Sequence, residues 1–156
     1  MLGSVMHKAY RILGIFILAL CFMLSANAQA KFRFGYVKNP DGNESVWLAG
    51  TAKRNRTRDK AILSHGDTFA PRININGKDI SLKSVKADLP DANFKVGRGG
   101  YEIFKGKGVS VRLDYVFTWL CPSDQENCSV FYYRGVLDVT YKGAKRKVNV
   151  TGFGGS

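Results

Sequence analysis

From residue 31 onward, apolar side chains recur at every second position, and turn-forming residues interrupt them at intervals of about eight to twelve. A period of two is the repeat of a strand with one buried face. No stretch past residue 31 holds the three-to-four spacing of an amphipathic helix. The pattern predicts an all-β domain of about seven to nine strands built from antiparallel hairpins, folded as a β-sandwich or a barrel.

The last third of the chain is the best determined. Val109, Val111, Leu113, Tyr115, Phe117 and Trp119 alternate without a break, and Phe131, Tyr133, Leu137, Val139 and Tyr141 do the same after a loop. A slip of one residue would turn an apolar face to water, so the register can be inferred. It sets Trp119 opposite Phe131, Phe117 opposite Tyr133, Leu113 opposite Leu137 and Val111 opposite Val139. On the other face it sets Arg112 opposite Asp138, a favourable charge pair. Val148 and Val150 are then expected opposite Val139 and Leu137, with Lys142-Gly143-Ala144-Lys145 as the loop. That register aligns Gly135 with Gly152 beside Tyr115, either with the ring covering bare backbone or with a ligand groove there.

Two earlier hairpins are also predicted. Around Asn39-Pro40-Asp41-Gly42, Tyr36 is expected opposite Val46, Phe34 opposite Leu48 and Lys38 opposite Glu44. Around Asn76-Gly77, Ile73 is expected opposite Ile80. Pro71 has no N–H for a ladder, which puts it at a sheet edge or a strand's start. Thr51 to Thr68 is polar and basic and reads as an exposed connection. Gly97, Gly99, Gly100, Gly106 and Gly108 match neither a dinucleotide-binding nor a phosphate-loop spacing and read as turn residues.

The first 30 residues break the alternation. Lys8 and Arg11 stand without an acid ahead of an apolar run from Ile12 to Ala26, and Ala26-Asn27-Ala28 and Ala28-Gln29-Ala30 both offer small-x-small cleavage sites. This is the layout of a signal peptide over residues 1–30, preceding a single small β domain over 31–156. A membrane anchor would want an apolar stretch nearer ~20 residues. Leu20 before Cys21 does not suit a lipid-attachment site. Removal of the leader leaves Cys121 and Cys128 as a pair in an oxidising compartment, periplasmic or extracellular, where a disulfide is expected. So short a loop contributes about 2 to 3 kcal/mol by chain entropy. Four Asn-x-Ser/Thr triplets, beginning at Asn43, Asn55, Asn127 and Asn149, are uninformative without a source.

Without Lys8 and Arg11 the domain keeps 22 cations against 12 acids, a net charge of +10. A surplus of that size attracts anionic partners: an envelope component, a polysaccharide or an acidic protein. Lys53, Arg54, Arg56, Arg58 and Lys60 form the densest basic segment, and Lys142, Lys145, Arg146 and Lys147 decorate the last hairpin. Both are candidate anion contacts. The first reads equally as a solvated loop, and the second as an edge hairpin charged against association with other sheets. Nucleic acid ranks lower, because the aromatic residues alternate into the core face and the leader points away from it.

Candidate chemistry is sparse. His65 is the only histidine after the leader, which excludes a multi-histidine metal site, and two bonded cysteines cannot supply a zinc cage. No metal or cofactor is therefore expected. Ser64, His65 and Asp67 have the residue types of a nucleophile triad, but sequence neighbours rarely meet in triad geometry, so a turn with a solvated imidazole is the preferred reading. Glu102 and Asp114 are conceivable acid and base, yet no spacing selects a pair. The resulting expectation is a non-catalytic module that binds an anionic surface or protein through basic loops. A secreted inhibitor or immunity-type protein is the alternative.

Overall fold

The structure is a computed structural model that describes residues 31–40, 43–50, 60–66, 69–88, 95–122 and 128–155. In it the alternating segments form eight strands: β1 (Glu44–Leu48), β2 (Leu63–Gly66), β3 (Phe69–Ile75), β4 (Lys78–Asp88), β5 (Gly99–Gly106), β6 (Val109–Leu120), β7 (Phe131–Tyr141) and β8 (Ala144–Gly154). Each pairs antiparallel with its neighbour in sequence, and β1 closes on β8 with Ser45 opposite Phe153 and Leu48 opposite Val150. Of the two architectures open to the pattern, the barrel is the one formed. Eight strands leave an interior just wide enough for side chains to fill.

Along β6 burial alternates strictly from Val109 to Phe117. Its inward residues meet Leu82, Phe104, Leu137 and Val139 in one continuous core. The outward positions carry Lys83, Lys105, Arg112, Asp138 and Lys147. That is the reverse of a lipid-facing barrel, whose outside is apolar.

The β6–β7 hairpin keeps the expected pairs Phe117–Tyr133, Leu113–Leu137, Val111–Val139 and Arg112–Asp138. Trp119 departs from the expectation. The register shifts between Phe117 and Trp119, so Trp119 meets Tyr132 and is 41 % exposed, while Leu120 meets Phe131. A bulge adds a residue to one strand and turns the side chains beyond it to the other face. Past the last pair, Cys121 and Cys128 are joined as a disulfide in the irregular mouth of the hairpin, Cα atoms 5.8 Å apart.

The last hairpin is displaced by two residues from its expected register. Leu137 meets Val148 and Val139 meets Arg146, so the loop is only Lys142-Gly143. A slip of two keeps every side chain on its face, so hydrophobicity cannot detect it. Turn geometry decides instead. Lys142 (φ 49°) and Gly143 (φ 84°) adopt the doubly left-handed conformation of a type I′ turn, as do Asn76 (φ 53°) and Gly77 (φ 78°) between Ile73 and Ile80, which pair as expected. Gly135 therefore faces Val150, not Gly152.

The first expected hairpin does not form. Val46 pairs with Leu63 on one side and Gly152 on the other, and Phe34 bridges Ile75 instead of Leu48. Residues 32–37 close one end of the barrel. The Phe32 ring packs on Phe34 and Tyr141, and Asn76 exchanges backbone and side-chain hydrogen bonds with Arg33. Gly35 passes so close to Asn74 that a Cβ there would collide with its amide. Pro71 lies near the start of β3, beside a register irregularity in the β2–β3 ladder. Gly97 and Gly108 occupy turns with positive φ, whereas Gly99, Gly100 and Gly106 lie within β5. The expected leader falls outside the described residues.

Candidate functional site

Three strands place a polar residue on the inward face, each two positions from a core side chain. Glu44 shares its face of β1 with Val46, His65 its face of β2 with Leu63, and Glu102 its face of β5 with Phe104. Together they form a polar cluster inside the end of the barrel opposite the Phe32 plug. His65 Nε2 lies 3.4 Å from Glu44 Oε2, and Nδ1 lies 3.8 Å from Glu102 Oε2. The His65 side chain is 4 % exposed, Glu102 14 % and Glu44 24 %, so the cluster meets solvent on the Glu44 side.

This overturns the reading of Ser64-His65 as a solvated turn. Ala61 to His65 are buried, β2 carries Leu63 to His65 into the barrel wall, and the Phe104 ring stands 5.3 Å from the imidazole. Desolvation pulls His65 down to about 4, which keeps the ring neutral at pH 7. Ser64 is on the opposite face from His65, so the two do not form a nucleophile and base; Asp67 lies outside the described residues.

Two phenols complete the surroundings. Tyr115 stands between Gly100 on β5 and Gly135 on β7, and its ring centroid is 5.2 Å from that of Tyr133. The Tyr133 ring, not that of Tyr115, lies over Gly152, where a Cβ would overlap the ring and the hydroxyl. Burial raises the pKa of both phenols, and Glu44 and Glu102 raise each of them further. Tyr133 is 2 % exposed, and its hydroxyl has no hydrogen-bond partner; nor does His65 Nε2.

The sequence pattern concealed this cluster because each polar residue, taken by itself, looks unremarkable. The signal that could have found it was parity: Glu44, His65 and Glu102 each keep step with the apolar face of their own strand.

The outer wall carries the charge. One cross-strand row runs Lys83, Lys105, Ser110, Thr140, Lys145 from β4 to β8. The next runs Lys86, Ile103, Arg112, Asp138, Lys147. Tyr101 lies beneath two of these cations, 4.2 Å from the Arg112 guanidinium carbon and 5.6 Å from Lys86 Nζ. Arg112 pairs with Asp114 on its own strand at 2.6 Å rather than with Asp138.

Of the expected anion contacts, Lys142, Lys145 and Lys147 are exposed on the β7–β8 hairpin. Arg146 is committed elsewhere. It donates to the Phe32 carbonyl at 3.1 Å and stacks 5.0 Å from the Phe34 ring centroid. Lys60 is exposed, and Lys53, Arg54, Arg56 and Arg58 lie outside the described residues. The expectation that the aromatic residues alternate into the core face is corrected at Trp119, which is 41 % exposed. Trp119, Tyr132 and Phe153 form an outer chain of ring contacts at 5.5 and 5.3 Å. A groove of about 880 Å³ also crosses the wall between Tyr101, Val116, Arg134 and Thr151, passing over Gly135. It is on the outside, whereas the Tyr115 ring faces in.

Comparison with models of protein families, with curated proteins and with solved structures gives no match.

Proposed function

We propose that this protein is a non-catalytic binding module, periplasmic or secreted, that takes an acidic polysaccharide on the outer wall of its barrel. The observation that carries this reading is the row Lys83–Lys105–Ser110–Thr140–Lys145. Lys83 and Lys105 are directly opposed and both exposed, a like-charge pairing that lowers stability unless an anion bridges it. Turning Glu44 and Glu102 inward also takes two acids away from the outer face.

Five strands at ~4.8 Å spacing make the row about 19 Å long, a length suited to a linear polyanion rather than a single small ion. The hydroxyls of Ser110 and Thr140 stand between the lysines and can donate to carboxylate or sulfate oxygens. The leader-like pattern of residues 1–30 and the Cys121–Cys128 bond support the extracytoplasmic setting.

Binding to immobilised alginate, measured across a salt series, tests the proposal. Affinity is expected to fall steeply with ionic strength and to fall by about tenfold or more when Lys83, Lys105 and Lys145 are together changed to Glu. Affinity indifferent to both salt and charge reversal contradicts it.

A further inference from the structure

We infer that Glu44, His65 and Glu102 bind one divalent transition-metal ion inside the barrel, at a site independent of the basic outer wall. One donor atom from each residue lies within 4.8 Å of the other two. The separation of His65 Nε2 from Glu44 Oε2, 3.4 Å, is already that of two ligands sharing a tetrahedral ion, since bonds of ~2.1 Å set the edge at about 3.4 Å. Glu102 reaches in from β5, across the lumen from the β1–β2 pair, so the three groups converge from opposite walls.

An independent observation points to a ligand in the same place. The Tyr133 hydroxyl is buried, has no hydrogen-bond partner and lies within electrostatic reach of both carboxylates. A buried hydroxyl without a partner bears its desolvation cost uncompensated. A metal ion, or water bound to one, would satisfy it. His65 Nε2 is another buried atom without a hydrogen-bond partner, and its lone pair is what an imidazole offers a metal.

The competing account is a purely structural ion-pair cluster. It leaves His65 Nε2 and the Tyr133 hydroxyl buried without hydrogen-bond partners. Two carboxylates and one imidazole suit Zn²⁺ or Mn²⁺, and the absence of thiolate donors disfavours Cu⁺. Counting only histidines and thiols does not exclude such a set. The partly exposed Glu44 marks the route of entry.

The test is calorimetric titration of the tag-free full chain, stripped with chelator, with Zn²⁺ and with Mn²⁺. One ion per chain is expected, with affinity reduced at least tenfold in His65→Gln and in Glu44→Gln and by about tenfold in Glu102→Gln. Unchanged binding in the folded His65→Gln protein, or no stoichiometric binding of either ion to the wild type, overturns the inference. Where a variant fails to fold, Co²⁺ added to the wild type decides. Visible d–d bands with paramagnetic shifts on the His65 ring support the site, and their absence refutes it. Alginate binding is a separate readout, so the failure of either proposal leaves the other standing.

Discussion

At one end of the barrel interior, Phe32, Phe34 and Tyr141 interlock under the Arg146 guanidinium. At the other, Glu44, His65 and Glu102 occupy the same kind of inward position. Both ends obey the alternation that places every second residue inside. The first end is sealed by apolar area and by a cation whose charged head stacks on a ring, while the second buries titratable groups that a stable core does not need. Where every local preference agrees with the fold, residues serve stability; where one conflicts, as at the second end, function is the better explanation.

The two ends differ most at the plug. Phe32→Ala removes a ring that is 4 % exposed and is expected to lower stability by about 3 to 4 kcal/mol. Denaturant unfolding measures it, and a loss under 1 kcal/mol would show that the plug is ornamental.

Next in size is the pH response of the polar end. His65 has a folded pKa of about 4, below the 6.5 of the unfolded chain. Between those values the unfolded chain binds a proton that the folded one rejects, so stability is full above pH 6.5 and falls as pH falls through the window. The His65 contribution reaches about 3 kcal/mol. It is read as the difference between wild type and His65→Gln unfolded in urea at pH 7 and pH 4.5; parallel losses in the two proteins would contradict it.

Opening the disulfide with Cys121→Ser and Cys128→Ser should lower stability by about 2 to 3 kcal/mol while leaving the eight-strand pairing intact. Amide exchange in β6 and β7 reports whether the loss stays at the hairpin mouth. The smallest expected effect lies on the outer wall. Lys83→Ala relieves the opposition with Lys105 and should raise stability by a few tenths of a kcal/mol, most visibly at low salt. A decrease would mean that the lysine stems pack rather than repel.

Much of this architecture was legible in the chain. The β6–β7 register could be read because each of its residues has one face that must be dry, and Ile73 opposite Ile80 could be read because Asn76-Gly77 is a two-residue turn. The β7–β8 register could not be read from faces alone, because shifting by two changes no face; the left-handed pair Lys142-Gly143 decides it. Phe32, Phe34 and Tyr36 imitate a strand, but Phe32 packs on Tyr141 and Phe34 bridges Ile75 across the barrel mouth while Tyr36 is exposed, a tertiary choice that local pattern does not encode.

The candidate site was legible residue by residue but not as a group. His65 looked solvated because its neighbours in sequence are polar, while its neighbours in space are Phe104, Glu44 and Glu102. The outer lysine row was hidden for the same reason, since Lys83, Lys105 and Lys145 are scattered along the chain and meet only through the register.

The most direct test of the buried cluster tracks the ¹H–¹⁵N signals of the His65 imidazole from pH 8 to pH 3.5 in metal-free protein, assigned against His65→Gln. An imidazole enclosed in the barrel is predicted to remain a single neutral tautomer down to pH 5 and to titrate near 4. Titration near 6.5 would contradict the desolvated, neutral imidazole on which the pH response rests.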